Sequence, residues 1–244
     1  MKIIGIIPSR YASTRFPGKP LADIGGKPMI QRVYEQVKKS AKLTDAVVAT
    51  DDQRIFDFVH SFGGKAMMTR EDHQNGTERC AEVGNAHPAD YYINIQGDEP
   101  FIHPEQIDAL AALLDGNTEL GTLVKIVTDS SLLDNPNTMK VVFNKQMEAL
   151  YFSRNCVPFI RDRTKDQWLN VHTFYKHIGI YAYRSDVLQA ITKLEMSSLE
   201  KAENLEQLRW LENGYRIKLA ITEHETIGID VPDDVSRALK YHIG

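Results

Sequence analysis

Cysteine is scarce here: Cys80 and Cys156 stand far apart in 244 residues, without C-x-x-C or His spacing around either. That removes a disulfide framework, makes a zinc site a poor fit, and is the usage expected in a reducing cytoplasm. Long apolar runs are also missing. None approaches the roughly 20 residues a membrane helix needs, and the first residues alternate into a short strand rather than the basic-then-apolar layout of a secretory signal. Positive charge is in deficit, with 29 Lys and Arg against 33 Asp and Glu and a formal net charge of -4. No global field is present to hold nucleic acid. The common nucleotide fingerprints are absent as well: no G-x-G-x-x-G follows the first strand, and no G-x-x-x-x-G-K-[ST] occurs anywhere. The two GGK triplets, at 25–27 and 63–65, are short turns.

What is there is an ordinary globular composition, 42% hydrophobic and 25% charged, long enough for one large domain, taken here as 1–244. Apolar runs of strand length fall at 3–7, 46–50, 91–96 and 121–127. Helical spacing lies between them. Pro28 opens a helix with Ile30, Val33 and Val37 on one face, Asp52 caps a second with Ile55, Phe56 and Val59, and Pro104 opens a third with Ile107, Leu110 and Leu114 inward. Such alternation predicts an α/β fold, a mostly parallel sheet with helices on both faces. After about Asn135 the rhythm breaks. Runs at 141–143 and 149–152 suggest a hairpin, 161–170 is polar and irregular, and another strand covers 177–183. The stretch from 140 to 176 is expected to be an excursion from the main sheet or an oligomerisation element. Ser197 is expected to start a long helix, with Glu200 completing a capping box. A last strand at 218–221 leads to GIDVPDDV, where Pro232 begins the terminal helix.

Two stretches carry candidate chemistry. KIIGIIPSRYASTRFPGKPL places Arg10, Arg15 and Lys19, interleaved with Ser9, Ser13, Thr14 and Gly18, on a loop beyond Pro8 at the carboxyl end of the first strand. Ligands of open α/β sheets bind outside that end, and several convergent cations suit a polyphosphate. A merely solvated basic loop is the plain alternative. INIQGDEP delivers Asp98 and Glu99 to a second strand-end turn. Asp230 follows the strand-like 227–229, while Asp233 and Asp234 suit a helix start, where the dipole favours anions. Carboxylates so placed can hold Mg2+, which takes one or two of them with phosphate oxygens and waters; a capping role is the alternative for Asp98 and Glu99. Two strand-end carboxylates with a cationic loop make a set for metal-assisted phosphoryl or nucleotidyl transfer.

Together with TREDHQNGTER, ALYFSR, HIGIYAYR and LEQLRWLENG, these stretches resemble the 3-deoxy-manno-octulosonate cytidylyltransferase (CMP-Kdo synthetase) family. They keep the family's order from Pro8 to Val235, essentially the whole chain. Ser9, Phe16 and Asn75 stand where Ala, Leu and Ser are more usual. The resemblance implies a nucleotidyltransferase architecture of the glycosyltransferase-A kind and a homodimer whose interface is the 140–176 excursion. It also implies a Mg2+-dependent cytoplasmic enzyme that turns CTP and Kdo into CMP-Kdo and pyrophosphate for lipopolysaccharide biosynthesis, with neither nucleic acid nor membrane as partner. By motif, Arg10 and Lys19 would hold the CTP phosphates with Pro8 and Ser9 beside them, Arg15 would assist the departing pyrophosphate, and Gly18 would admit close backbone approach. Asp98 and Asp230 would bind the metal. Arg70, Asn75, Gly76 and Thr77 would line the cytidine pocket. Gln96, Arg154, His177, Tyr181, Glu206 and Gln207 would surround the sugar acid.

From the residue types alone, Arg154 suits a carboxylate because a guanidinium binds one bidentately. His177 and Tyr181, four apart on a strand, share a face, though an amphipathic strand needs no ligand to explain them. Helical Glu206 and Gln207 would ordinarily be solvated. The alternative activity is a cytidylyltransferase for another acidic sugar, 8-amino-Kdo or a sialic acid. A sugar-1-phosphate nucleotidyltransferase usually has a Gly-rich opening loop, absent here, and a nucleotide-binding regulator would not need both carboxylates and the cations.

Overall fold

The computed structural model describes residues 1–12, 15–225 and 227–242, so two hydroxyls of the opening loop, Ser13 and Thr14, lie outside the described residues. In chain order the elements are β1 (Ile3–Pro8), α1 (Met29–Val37), β2 (Asp45–Thr50), α2 (Gln53–Ser61), β3 (Ala66–Met68), α3 (Gly76–Ala86), β4 (Tyr91–Asn94), α4 (Pro104–Ala111) and β5 (Leu120–Ile126). There follow α5 (Ser131–Asp134), β6 (Lys140–Phe143), β7 (Ala149–Ser153), α6 (Trp168–Val171), β8 (Tyr175–Arg184) and α7 (Ser185–Ile191). The chain closes with α8 (Ser198–Glu203), α9 (Gln207–Glu212), β9 (Ile217–Ile221) and α10 (Asp233–His242).

The apolar strands are continuous because each is covered on both sides. In β1, Ile3 and Ile7 enter one core with Ile30, Val33, Ile55, Ile107 and Ala238, from α1, α2, α4 and α10. The intervening Ile4 and Ile6 enter the other with Cys80, Val83, Leu188, Leu208 and Trp210, from α3, α7 and α9. Helices therefore lie on both faces, as the alternation predicts.

The main sheet runs β3-β2-β1-β4-β8-β5-β9. Four of its pairings are parallel, β1 with β2 and β4, β2 with β3, and β5 with β9. Only β8 runs against its neighbours β4 and β5. Successive strands step from β1 out to β3 and then return to β4 on the far side of β1. That reversal opens a crevice at the carboxyl ends of β1 and β4, where ligands of such sheets bind.

Three expectations change. The long helix from Ser197 is two short ones. The capping box forms at Ser197 and Glu200, but Asn204 turns left-handed (φ 52°) and ends α8. A bidentate ion pair, Arg209 to Glu200 at 2.6 and 2.7 Å, fastens α9 back onto α8; both side chains are buried. The excursion is less detached than its rhythm suggests, since the β6–β7 hairpin joins the sheet through the pairing of Lys140 with Lys176. Strand β8 is longer than 177–183 and is interrupted. Thr122 pairs with Tyr181 while the adjacent Leu123 pairs with Ile178, leaving Gly179 and Ile180 as a bulge.

Candidate active site

The crevice holds a cavity of about 250 Å3 whose wall includes Pro8, Ser9, Arg10, Arg15, Lys19, Asn75, Gly76, Gln96, Asp98 and Asp230. Ten residues proposed from sequence thus meet in one place, drawn from segments up to 222 positions apart (230 minus 8). Strand ends deliver them. Backbone bonds Ser9 N to Ala49 O (2.8 Å) and Ile95 N to Ile6 O (2.9 Å) carry the ladder just past β1 and β4. Gly97 lets the two ends meet, because a Cβ there would lie 2.6 Å from Pro8 O and 2.9 Å from Ser9 Oγ. Any other side chain would push the loops apart.

At the centre, Lys19 Nζ donates to Asp98 Oδ2 at 2.8 Å and to the Ile229 carbonyl at 2.9 Å, and lies 3.7 Å from Asp230 Oδ1. Arg15 forks onto Asp230, with both N–O separations at 3.2 Å. Asp234 fixes the Asp230 turn by accepting from the backbone N–H groups of Asp230 (2.9 Å) and Val231 (3.1 Å). The helix-start role foreseen for Asp234 is therefore what the geometry gives it. Two carboxylates converge on one cation, and both offer hard oxygen donors, so the pair fits Mg2+ completed by phosphate oxygens and water.

The N-terminus of α3 forms the opposite wall. Asn75 caps it, its Oδ1 accepting from Glu78 N at 2.9 Å. Asn and Ser are comparable caps, which accounts for the departure from Ser at this position. The oriented N–H groups there add to the attraction for anions. Sequence reasoning did not single out Pro20, His73, Arg79 or Gly97, which also line the cavity. His73 hydrogen-bonds Glu82 through Nε2, and Arg79 is held by Asp51 at 2.7 Å. The usable signal was Asp51, a carboxylate at a third strand end.

Four other candidates stand outside the wall of this cavity. Gly18 does not line the cavity. It adopts φ 69° to start a 3-10 turn, with the Tyr11 ring 3.0–3.2 Å from where its Cβ would sit; glycine is there for the turn and the ring. Arg70 points to Asp72 at 3.2 Å from an exposed position. Thr77 is buried behind the wall and donates to Glu206 Oε2 at 2.9 Å. Arg154 is spent on backbone carbonyls, of Glu203 (2.6 Å), Pro136 (2.9 Å) and Asn204 (3.3 Å), closing the C-terminus of α8.

The remaining sugar candidates form a second, buried group behind the cavity. Gln96 bridges the two by donating to the bulge carbonyl of Gly179 at 2.9 Å. The rings of His177 and Tyr181 lie 5.2 Å apart, so they do share a face, and Tyr181 meets Trp210 edge-on at 5.1 Å. Gln207 is buried nearby in α9 rather than solvated. Four buried polar atoms find no partner among the described residues: Asn94 Oδ1, His177 Nδ1, Tyr181 Oη and Trp210 Nε1. Orphaned groups of this kind are costly, and a buried water or a polar ligand would relieve them. Burial pushes the His177 pKa down to about 3, leaving a neutral ring, and lifts Glu206 to about 7.

The cytidylyltransferase family model matches residues 4–219. The chain is 58% identical over 250 residues to the 3-deoxy-manno-octulosonate cytidylyltransferase of Parabacteroides distasonis, covering 99% of this chain and 98% of that protein. It is 59% identical over 246 residues to the protein of that name from Phocaeicola vulgatus, covering 98% and 96%. The chain belongs to the 3-deoxy-manno-octulosonate cytidylyltransferase family. Among solved structures, a CMP:2-keto-3-deoxy-manno-octonic acid synthetase complexed with CTP superposes with a TM-score of 0.92 at 43% identity, over 99% of this chain and 98% of that one. The nucleotidyltransferase fold expected from sequence follows from that likeness. Among the described residues no helix is long and apolar enough to cross a membrane.

Glu206 gives this family member a testable pH signature. Its folded pKa, about 7, lies above the ordinary 4.5, so the folded protein holds a proton that the unfolded chain has released between those values. Stability contributed by that proton is present below about pH 4.5 and is lost as pH rises to 7, on the order of 3 kcal/mol in all. Glu206→Gln keeps an acceptor for Thr77 and carries no charge. Urea unfolding of both proteins from pH 5 to 8 should show the variant gaining on the parent as pH rises; parallel curves would contradict a buried, proton-binding Glu206.

Proposed function

We propose that this enzyme transfers the cytidylyl group of CTP to the anomeric hydroxyl of Kdo, giving CMP-Kdo and pyrophosphate for lipopolysaccharide biosynthesis. The observation that carries the reading is the meeting of Arg10, Arg15 and Lys19 with Asp98 and Asp230 in one crevice, beside buried polar groups without partners. The first set suits a triphosphate with a divalent cation, the second a hydroxylated acid. The anomeric oxygen forms a bond to the α-phosphorus, the α–β phosphoanhydride bond breaks, pyrophosphate leaves, and the hydroxyl proton is lost to solvent. Such transfers depend chiefly on positioning and on neutralising charge.

Asp98 and Asp230 would hold Mg2+, which when bound supplies charge neutralisation on phosphate oxygens and favours ionisation of the attacking hydroxyl. Arg10 and Lys19 would stabilise charge that grows on the departing phosphates. The α3 N-terminus, with Asn75 and Gly76, would receive the nucleotide. Gln96, His177, Tyr181, Glu206 and Gln207 would face Kdo. Neutral His177 and a Glu206 near half-protonation supply both donors and acceptors to hydroxyls. Arg154, bound to carbonyls, would position the sugar site from behind through the α8 terminus.

A second copy of the chain is the proposed partner. A groove of mixed character lies wholly within the 140–176 stretch, walled by Val141, Phe143, Pro158, Val171 and Phe174 together with His172 and Thr173. Phe159 and Val171 are 76% and 54% exposed beside it, apolar side chains that a second copy would cover. Phe159→Asp should convert a dimer to a monomer in light scattering; an unaltered mass, or a monomeric parent, would remove this interface.

Pyrophosphate release tests the reaction. Kdo should be used far better than N-acetylneuraminic acid, since a site built around particular hydroxyls rejects ligands that leave its groups unpaired, by ~10⁴ in good cases. Asp98→Asn and Asp230→Asn should each remove most turnover across a magnesium titration, an amide being a poor Mg2+ ligand. Equal use of both sugars would overturn the Kdo assignment, and near-parental rates at low magnesium would remove that residue from the metal site.

A further inference from the structure

Away from the cavity, His103, Glu105 and His224 come together from two segments. His103 precedes Pro104 and caps α4, its Nδ1 accepting from Glu105 N at a long 3.3 Å. His224 follows β9, and its Nε2 lies 2.8 Å from Glu105 Oε2. The imidazoles stack, 3.7 Å between centroids and 7° between planes. Each of the three residues offers one ligand atom, and these atoms lie within 4.8 Å of one another.

The backbone holds this group in place. His103 N donates to Gln106 Oε1 at 3.0 Å, His224 N to Thr222 Oγ1 at 3.1 Å, and Gln106 Nε2 reaches the His224 carbonyl at 3.4 Å. Hydrophobic burial does not explain the stacking, because the Glu105 and His224 side chains are 73% and 36% exposed. Two imidazoles and a carboxylate on fixed backbone, open to solvent on one side, have the donor set of a three-ligand site with a place for water, reached when one ring turns out of the stack, since near-parallel rings do not both aim their in-plane lone pairs at one ion.

We propose that His103, Glu105 and His224 bind a divalent transition-metal ion of the zinc class. The ion would replace the hydrogen bond between His224 and Glu105 and take His103 Nδ1 from its long capping bond. Imidazole nitrogen suits Zn2+, Ni2+ or Co2+, whereas Mg2+ prefers oxygen throughout. The site is thus chemically distinct from the Asp98 and Asp230 pair. It is also placed to act on that pair. His103 lies five residues after Asp98 and His224 six before Asp230, so a bound ion fastens together the two segments that carry the carboxylates.

The test is a Zn2+ titration of the full chain against a chromophoric chelator, without CTP, alongside melting curves. One equivalent should bind, survive millimolar-range Mg2+ competition and raise the melting temperature, as any ligand selective for the folded state does. His224→Ala and Glu105→Gln should each weaken it by about tenfold or more, a loss typical of damage to a metal site. Glu105→Gln changes an exposed side chain and keeps the cap of α4, so a folding failure in the histidine variant leaves the test intact. Absence of the equivalent, or its persistence in both variants as an ion adventitiously bound elsewhere, overturns the proposal.

Discussion

Everything at the crevice is organised around one ammonium group. Lys19 Nζ lies between Asp98 and Asp230 and ties both to the Ile229 carbonyl, bridging the end of β4, the segment before α10 and the opening loop. Two carboxylates brought this close repel, and each would be costly to hold without a counter-charge. Lys19 supplies it, and Arg15 supplements it from the solvent side. Lys19 and Arg15 are therefore paired with the protein's own anions.

That pairing bears on the proposed chemistry. A triphosphate arriving with its divalent cation would bring a partner for each member of the pairs, anions for Lys19 and Arg15 and a cation for Asp98 and Asp230. The exchange gives each of those charged groups a new counter-charge in place of the old one. Behind it, the second group works by a different principle. Asn94, His177, Tyr181 and Trp210 hold polar atoms without protein partners in an aromatic setting, and under the proposed function a sugar acid would be selected by how well it meets them.

Legibility in the sequence followed the range of the interaction concerned. The strands at 3–7, 46–50 and 91–96 and the cap at Asp52 are local or periodic signals, and the structure keeps them, with the third strand ending at Asn94. Asp98, Asp230 and Lys19 were recognisable because strand-end loops have one place to go in an open α/β sheet. What stayed hidden depended on pairing across the chain. Nothing near Arg154 announces that its guanidinium would close the end of α8. Glu206 and Gln207 look solvated until α9 is packed onto the sheet. The division of the expected long helix rests on Asn204 turning left-handed and on the buried contact of Glu200 with Arg209. Gly179 was a visible hint of the β8 bulge, since glycine inside a strand often marks one.

The most direct measurement is Mn2+ binding, as a spectroscopic substitute for Mg2+, to the parent and to Lys19→Ala in the absence of nucleotide. If the Lys19 ammonium occupies the position a metal would take, removing it frees both carboxylates. The variant should then bind Mn2+ several-fold more tightly than the parent, by about 1 kcal/mol or more, and Asp98→Asn in the same background should abolish the gain. Identical weak binding by the parent and Lys19→Ala would contradict the account, because Lys19 would then not be holding a metal position.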